Sequence, residues 1–483
     1  MIKGEWLIQM RILFVEPPKA FWFVMGEYMP PPLGILQLAA YLESKNDNWD
    51  LEVLDSQAKD LGWTKLQSYI ESAKPDVLVS SALASCNTFT ILRTLETAKK
   101  IDPGIKTVVG GQHFTALADE SLKMYPEIDF VVRGEGEETL YELVKSLDEN
   151  RPLQNVKGLS FRNGSQIIHN PPRPFITNLD DLPFPGYHFV EDHMHKYNFK
   201  MMAPSGAGYA LVEASRGCTY KCTFCSQWKH WGSKWRPKSP ERIADEMEHI
   251  YTEYGINFLW MTDDNLGLGK RTSQICDELI RRGLSEDIAW FLQARSDDII
   301  KNRENLSKMR KAGNYWIMAG LERHDDDSLQ NYHKGIRPSD SKLAMDLLKE
   351  NDIFAQATLI TGDRRDNHES IQNLRDFVNY VDPDIAIFMI LTPFPGTALY
   401  ETARREGWLE DDNWANYDMV HAVMPTEHLS RSEVQEELYL CYRSFYGSMK
   451  RRITGVFSRN KFKRKTYRYM AGQGLMQSLR DLY

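Results

Sequence analysis

The chain is 483 residues long, with 42% hydrophobic and 26% charged residues and a formal net charge of −8. That length exceeds what one hydrophobic core usually serves, about 250–300 residues, so two or three domains are expected. The acidic balance argues against a nucleic-acid coat, no run approaches the roughly 18 apolar residues of a membrane helix, and six cysteines are too few for a disulfide framework.

The opening MIKGEWLIQMRILFVEPP does not read as a secretory signal. Glu5, Gln9 and Arg11 break its apolar run, and it lacks a small-residue cleavage site. With so few cysteines, a reduced, cytoplasmic setting is expected. From Arg11 to about Leu147 the runs RILFVEP, DLEVLD, DVLVSSAL, KTVVGG and FVVRGEG alternate with helical patterns such as PLGILQLAAYLES and TFTILRTLETAKKI. That rhythm predicts an α/β domain over residues 1–150: a doubly wound, Rossmann-like parallel sheet. Ligands of such sheets sit beyond the carboxyl ends of the strands. The loops of interest are therefore EPPKAFWFVMGEYMPPPLG, SSALASCN, GGQHFT and RGEGEE. None holds GxGxxG or a P-loop. Gly110 with Gly111, and Gly134 with Gly136, allow close backbone approach to a large ligand, or serve only tight turns.

Residues 151–205 read as a connector, with a hairpin around Asn163-Gly164 followed by the Pro-rich NPPRPFITNLDDLPFPGYH. Over 206–400 six further strand candidates follow: YALVEAS, FLWMTDD, AWFLQAR, YWIMAGLE, QATLIT and IAIFMILTPF. Six βα units predict a partial (β/α)6 barrel of the TIM type, whose chemistry belongs at the C-terminal strand ends. Residues 401–483 read as mostly helical. They contain the basic stretch KRRITGVFSRNKFKRKTYR, either a solvated helical tail or a contact for an acidic partner or membrane surface.

The segment SRGCTYKCTFCSQWKHWG, directly after the first barrel strand, carries Cys218, Cys222 and Cys225. A structural zinc site closes with four ligands. Here the loop has three cysteines, no second CxxC exists, and His230 is a poorly spaced fourth ligand. Three thiolates on an iron–sulfur cube leave one iron open to chelate a substrate or cofactor. Cys86, Cys276 and Cys441 are scattered and read as buried free thiols, Cys86 being the one in a ligand-facing loop.

CxxxCxxC with Phe224 before the third cysteine, opening a βα barrel, resembles the radical S-adenosylmethionine enzymes. MTDDNLG at 261–267, QAR at 293–295 and AGLER at 319–323 resemble that family's second, third and fourth strand ends. LTPFPGTALY at 391–400, GGQHFT at 110–115 and RGEGE at 133–137 are similar to the subfamily with an N-terminal cobalamin domain. That subfamily includes methyltransferases and the anaerobic magnesium-protoporphyrin monomethyl ester cyclases. The resemblance implies an anaerobic enzyme with a [4Fe-4S] cluster on Cys218, Cys222 and Cys225. It implies S-adenosylmethionine near Phe224, Asp263, Gln293, Arg295 and Glu322, and cobalamin against Gly110, Gly111, His113, Thr115, Gly134, Glu135 and Glu137. Asp264 and Asn265 face the same cavity as Asp263, for which a helix cap is the other reading. The Asp-x-His-x-x-Gly of mutase-type cobalamin domains is missing, which implies base-off cobalamin with SSALAS, and Leu83 within it, below the cobalt.

The activity so implied is C-methylation of an unactivated carbon through a 5′-deoxyadenosyl radical and methylcobalamin, with ferredoxin or flavodoxin as reductant. The acceptor stays open: a peptidyl carbon such as a glutamine of methyl-coenzyme M reductase, a hopanoid lipid, a tetrapyrrole or an antibiotic precursor. Oxidative closure or hydroxylation of a tetrapyrrole is the alternative chemistry, and a cobalamin carrier or sensor the alternative that is no enzyme. Tyr417 and His421 could reach a substrate from the C-terminal region, or simply pack in the core.

Overall fold

The computed structural model describes residues 9–19, 28–45, 48–82, 84–201 and 208–480. Leu83 and residues 20–27 of the loop after the first strand lie outside them. The described residues of Met1–Phe21 and Pro31–Met194 form one compact unit, and those of Trp22–Pro30 and His195–Tyr483 form another.

In the first unit the aliphatic runs become β1 (Arg11–Glu16), β2 (Asp50–Asp55), β3 (Val77–Ser81), β4 (Lys106–Gly110) and β5 (Phe130–Val132). All pair in parallel, in the order 2-1-3-4-5. Leu13, Val15, Leu78, Val109 and Val131 share one core with Ile91, Leu95 and Leu122 of the helices. Continuous apolar strands are what a sheet covered on both faces requires. The strand order reverses between β1 and β3, which makes their carboxyl ends the switch point where ligands of such sheets bind. The Ser80 hydroxyl ties the two strands there, donating to the Val15 carbonyl at 2.8 Å.

The hairpin is no part of a separate connector. β6 (Leu159–Asn163) and β7 (Gln166–His169) extend this sheet, with Phe130 opposite Phe161 and Val132 opposite Leu159 in antiparallel register. The physical reason is the edge of β5, whose backbone groups would otherwise stand unpaired.

The second unit holds β8 (Tyr209–Val212), β9 (Phe258–Met261), β10 (Ala289–Arg295), β11 (Asn314–Glu322), β12 (Phe354–Thr361) and β13 (Ile385–Ile390). They form one parallel sheet in chain order, a partial barrel with helices between successive strands. Local signals set the helices. The Pro240–Tyr254 helix starts where the Ser239 side chain accepts the Arg242 N–H at 3.2 Å and Pro240 enters the first turn. It stops at Gly255, whose φ of +66° suits glycine.

Trp260, Phe291, Trp316 and Phe354 stand opposite one another on neighbouring strands and form an aromatic row. Phe291 stacks on Trp316 at 4.0 Å and on Trp260 at 5.2 Å. A two-residue ladder, Tyr28–Met29 with Asn198–Phe199, lays Tyr28 and Phe199 on that row, 6.2 Å from Trp260 and 5.5 Å from Trp316. One layer nearer the C-terminal ends, Gln293, Met318 and Gln356 share a register, followed by Arg295, Gly320 and Thr358. Gln293, Met318 and Thr358 keep partial exposure within these strands.

The Arg431–Tyr446 helix closes the open edge of β13. The Tyr446 hydroxyl accepts the Ala386 N–H at 3.1 Å and donates to the Ala386 carbonyl at 2.8 Å, and Tyr442 makes the same two bonds to Phe388. Two tyrosines four apart thus stand in for a seventh strand. The Lys461–Arg480 helix packs at the opposite end from the strands' carboxyl termini, its Phe462 stacked 3.7 Å from Tyr315 and its Tyr467 hydroxyl donating to the Asp384 carbonyl at 3.1 Å. Among the described residues no helix is long and apolar enough to cross a membrane.

Replacing both Tyr442 and Tyr446 by Phe keeps the rings and removes the edge bonds. Four backbone groups lose partners, so the barrel should lose roughly 2–4 kcal/mol, at about 1 kcal/mol per hydrogen bond. Hydrogen exchange at the Ala386 and Phe388 amides should accelerate, while β10 and β11 stay protected.

Candidate functional site

The loop from Gly217 to Trp235 is pinned at both ends. Ser215 and Arg216 pair antiparallel with Pro237 and Arg236. Gly217 has φ +91°, and a Cβ there would lie 2.0 Å from the Lys234 carbonyl oxygen, so only glycine fits. Asp263, at the end of β9, accepts the Ala214 N–H at 3.1 Å and the Ser215 hydroxyl. That carboxylate is therefore neither a helix cap nor a group facing a cavity: it is 2% exposed and anchors the loop's first residues. Burial pushes it up to about 6 despite these bonds. The indole of Trp235 donates to the Asn265 carbonyl at 2.9 Å and bonds Ser215, and that of Trp228 donates to the Cys222 carbonyl at 2.9 Å.

Cys222 is buried, and Cys218 and Cys225 are half-buried. Burial raises all three thiols, Cys225 to about 12. After burial, the charges acting on Cys222 are Lys334, Arg295 and Glu322, and Asp264 acts on both Cys218 and Cys225. The ends of β9, β10 and β11 thus converge on the loop. Asp264 is itself raised to about 7, by burial and then by the charge of Asp263. Among the described residues no three His, Cys, Asp or Glu side chains gather closely enough for a single metal ion. Burial lowers His230 to about 4, and its ring lies 4.7 Å from Trp231. A cube spreads its ligands over several corners, and three thiols on one loop are a donor set suited to it.

Glu322 sits at φ +61°, a left-handed conformation uncommon for any residue but glycine, beside a register shift in β11. Its Oε1 accepts from the Lys334 ammonium at 2.6 Å, and both residues are 7% exposed or less. Arg295 donates to the Lys334 carbonyl, pairs with Asp297 at 2.9 Å, and lies 3.7 Å over the Tyr220 ring. Lys334 is the residue that the sequence left unmarked: NYHKGIRP carries no motif, and only the fold brings it to Glu322. Beneath them Arg323 grips Asp366 with two bonds of 2.9 and 2.6 Å and donates to the Ile360 carbonyl at 3.1 Å. Gln293 is half-buried in the strand interior, whereas Gln356, two strands away at the same level, is fully buried with neither amide atom partnered. Phe224 packs edge-on to Tyr332 at 5.1 Å, in a cluster with Ile360, Leu391 and Met424.

Tyr417 takes the packing reading, 1% exposed with its hydroxyl donating to the Asp411 carbonyl at 3.0 Å. His421 does not take the packing reading: it is exposed and pairs with Asp418 at 2.8 Å. Cys276 and Cys441 are buried free thiols, and Cys86 is half-buried after β3.

In the first unit the glycines divide. A Cβ on Gly111 would lie 2.4 Å from the Ala82 carbonyl oxygen, and one on Gly110 would lie 3.3 Å from that of Val132, so both serve the packing of strand ends. Gly136 likewise abuts Leu38 at 2.8 Å. Gly134, at φ +75°, faces open space, and its N–H donates to the Thr115 side chain at 3.1 Å. Glu135 accepts the Ile176 N–H at 2.7 Å, and Glu137 is buried in the first turn of the next helix. His113 is 3% exposed, its Nδ1 3.0 Å from the Ser85 hydroxyl and its ring edge-on to Phe114.

Two family descriptions match the chain: a B12 binding domain over residues 25–144 and the radical SAM superfamily over residues 212–378. An uncharacterized methyltransferase of Pyrococcus horikoshii is 32% identical over 458 residues, 94% of this chain and 96% of the relative. The anaerobic magnesium-protoporphyrin IX monomethyl ester cyclase of Cereibacter sphaeroides is 30% identical over 443 residues, 90% of this chain and 70% of the relative. The fold is similar to that of the cobalamin-dependent S-adenosylmethionine radical enzyme OxsB with aqua-cobalamin and S-adenosylmethionine bound, at a TM-score of 0.73 and 20% identity. That match covers 96% of this chain and 71% of OxsB.

Burial lowers His113 from 6.5 to about 4. The unfolded chain then binds this proton more readily than the folded one. The contribution of His113 is complete above pH 6.5 and is lost as pH falls towards 4. The span corresponds to roughly 3 kcal/mol. His113→Asn should flatten that slope, read as the difference between the denaturation midpoints of the two proteins across this range.

Proposed function

The chain belongs to the B12-binding radical S-adenosylmethionine enzymes, and from that premise we propose that it transfers a methyl group to an unactivated carbon. The observation that carries the reading is the convergence of Cys218, Cys222 and Cys225 with Arg295, Glu322 and Lys334 at the C-terminal end of the barrel strands. The Pyrococcus horikoshii relative, matched along nearly its whole length, favours methyl transfer among the chemistries of the family.

When bound, a [4Fe-4S] cluster, S-adenosylmethionine and cobalamin supply reductive cleavage, hydrogen abstraction and methyl delivery. Cys218, Cys222 and Cys225 hold the cluster on a loop fixed by Gly217 and Asp263. Lys334 orients the Glu322 carboxylate, whose strained backbone and buried ion pair pre-set it for a polar cofactor group. Arg295, clamped from two sides, presents a fixed positive charge beside the thiols. Phe224 and its apolar cluster keep water from the loop's underside. In the first unit Thr115 holds the Gly134 amide, leaving the open face of Gly134 to cobalamin.

Cobalamin is proposed to bind base-off, with no protein nitrogen below the cobalt. His113 is the only histidine before His169, and its ring is buried with Nδ1 engaged at Ser85. A reductant such as ferredoxin or flavodoxin is the electron source. The second reading is tetrapyrrole cyclisation or hydroxylation, favoured by the 30% identity to the cyclase of Cereibacter sphaeroides.

The deciding experiment is anoxic turnover with reductant, S-adenosylmethionine and methylcobalamin on peptide, lipid and tetrapyrrole panels, followed by mass spectrometry. A product heavier by one methylene supports the reading. A tetrapyrrole that loses hydrogen or gains oxygen transfers it to the cyclase, and absence of 5′-deoxyadenosine sinks both. The Cys218→Ala, Cys222→Ala, Cys225→Ala variant should lose nearly all of the expected four iron atoms, roughly, while keeping cobalamin. Glu322→Ala should keep its iron and lose roughly 100-fold in deoxyadenosine production, and Lys334→Met should follow it.

Electron paramagnetic resonance of the cobalt(II) form should contain no axial nitrogen splitting. Splitting that vanishes in His113→Ala would make the GGQHFT loop a ligand loop and overturn the assignment of a cobalt with no protein nitrogen below it.

A further inference from the structure

The basic C-terminal stretch takes no part in the site. Between Met449 and Arg480 there are ten Lys and Arg residues and not one Asp or Glu, in a chain of net charge −8. The Met449–Val456 helix lies in this stretch with one face turned inwards. Arg451 there pairs with Asp382, donates to the Pro383 carbonyl at 3.2 Å and stacks 3.8 Å over Phe445. Gly455 is so close to Tyr467 that a Cβ would meet the ring at 2.2 Å. At about 100° per residue, the opposite face carries Met449, Ile453 and Phe457. They are 64%, 55% and 74% exposed. Exposed Lys450 and Arg452 flank them, and exposed Arg459 and Lys461 follow.

We infer that this face is a docking surface for an anionic lipid bilayer. A convex apolar ridge rimmed by cations is the pattern of an interfacial helix, whose apolar side chains enter the headgroup boundary while Lys and Arg meet anionic lipid. A bilayer needs no groove to receive a ridge, whereas a protein partner does. A second copy in a symmetric pair would set the same basic rims against each other, with no acidic residue in the stretch to offset them. The helix stands at the N-terminal end of the barrel strands, beside Asp382 and Asp384, away from the cysteine loop. Docking through it leaves the C-terminal strand ends facing away from the bilayer.

The test is co-sedimentation of the full chain with vesicles of phosphatidylglycerol and phosphatidylcholine in equal parts, beside vesicles of phosphatidylcholine alone. Binding should favour the anionic vesicles, weaken with salt, and fall roughly tenfold or more in Lys450→Glu, Arg452→Glu and in Ile453→Asp, Phe457→Asp. Both variants change exposed positions and should keep wild-type iron content and deoxyadenosine production. Equal binding to neutral vesicles, or binding that survives both variants, overturns the proposal. So does lipid-free dimerisation, or capture of an acidic flavodoxin, that these substitutions abolish while vesicle binding is absent.

Discussion

The loop that carries the three cysteines has almost no regular structure of its own, so its shape depends on the hydrogen bonds that Asp263 accepts from Ala214 and Ser215. A buried carboxylate is costly to ionise, and its pKa of about 6 records that cost. The cost is offset because the acceptor is rigid, sitting at the end of a strand paired on both sides. Fixing residues 214 and 215 fixes where Gly217 turns, and Gly217 determines where Cys218 begins. A loop built this way transmits the stiffness of the barrel to three side chains that must hold a shared geometry.

Both sheets are open, and each meets the problem of a free edge differently. The first adds an antiparallel hairpin to β5. The second uses Tyr442 and Tyr446, whose hydroxyls each donate and accept, to satisfy alternate residues of β13 from a helix. A hairpin continues the sheet and moves its edge outward, but a helix terminates it. The barrel therefore stops at six strands, with its outer strand satisfied and unavailable to another chain.

Much of this was legible in the sequence. The strands are apolar runs bounded by glycine, proline or small polar residues, and every predicted strand lies where its run lies. The cysteine spacing located the loop because chemistry constrains that spacing directly. What stayed hidden depends on long-range pairing. The sequence identifies a hairpin at Asn163-Gly164 but not the strand it joins. Asp263 looks like a cap or a cavity group, since its true partners lie nearly fifty residues earlier. Lys334 is an ordinary lysine until β11 places Glu322 within 2.6 Å of it. His421 carries a residue type that suggests chemistry, yet its surroundings are solvent and Asp418.

The aromatic row at the base of the barrel also sets a depth. Trp316 and Glu322 lie on the same strand, six residues apart. At about 3.3 Å per residue that is roughly 20 Å along the strand, and nearer 16 Å along the barrel axis at a tilt of about 36°. Tyr28 and Phe199 pack on the row, so aromatic rings fill the barrel interior at that layer. The charged side chains of Arg295 and Glu322 are thereby separated from the opposite end of the barrel by a rigid apolar plug.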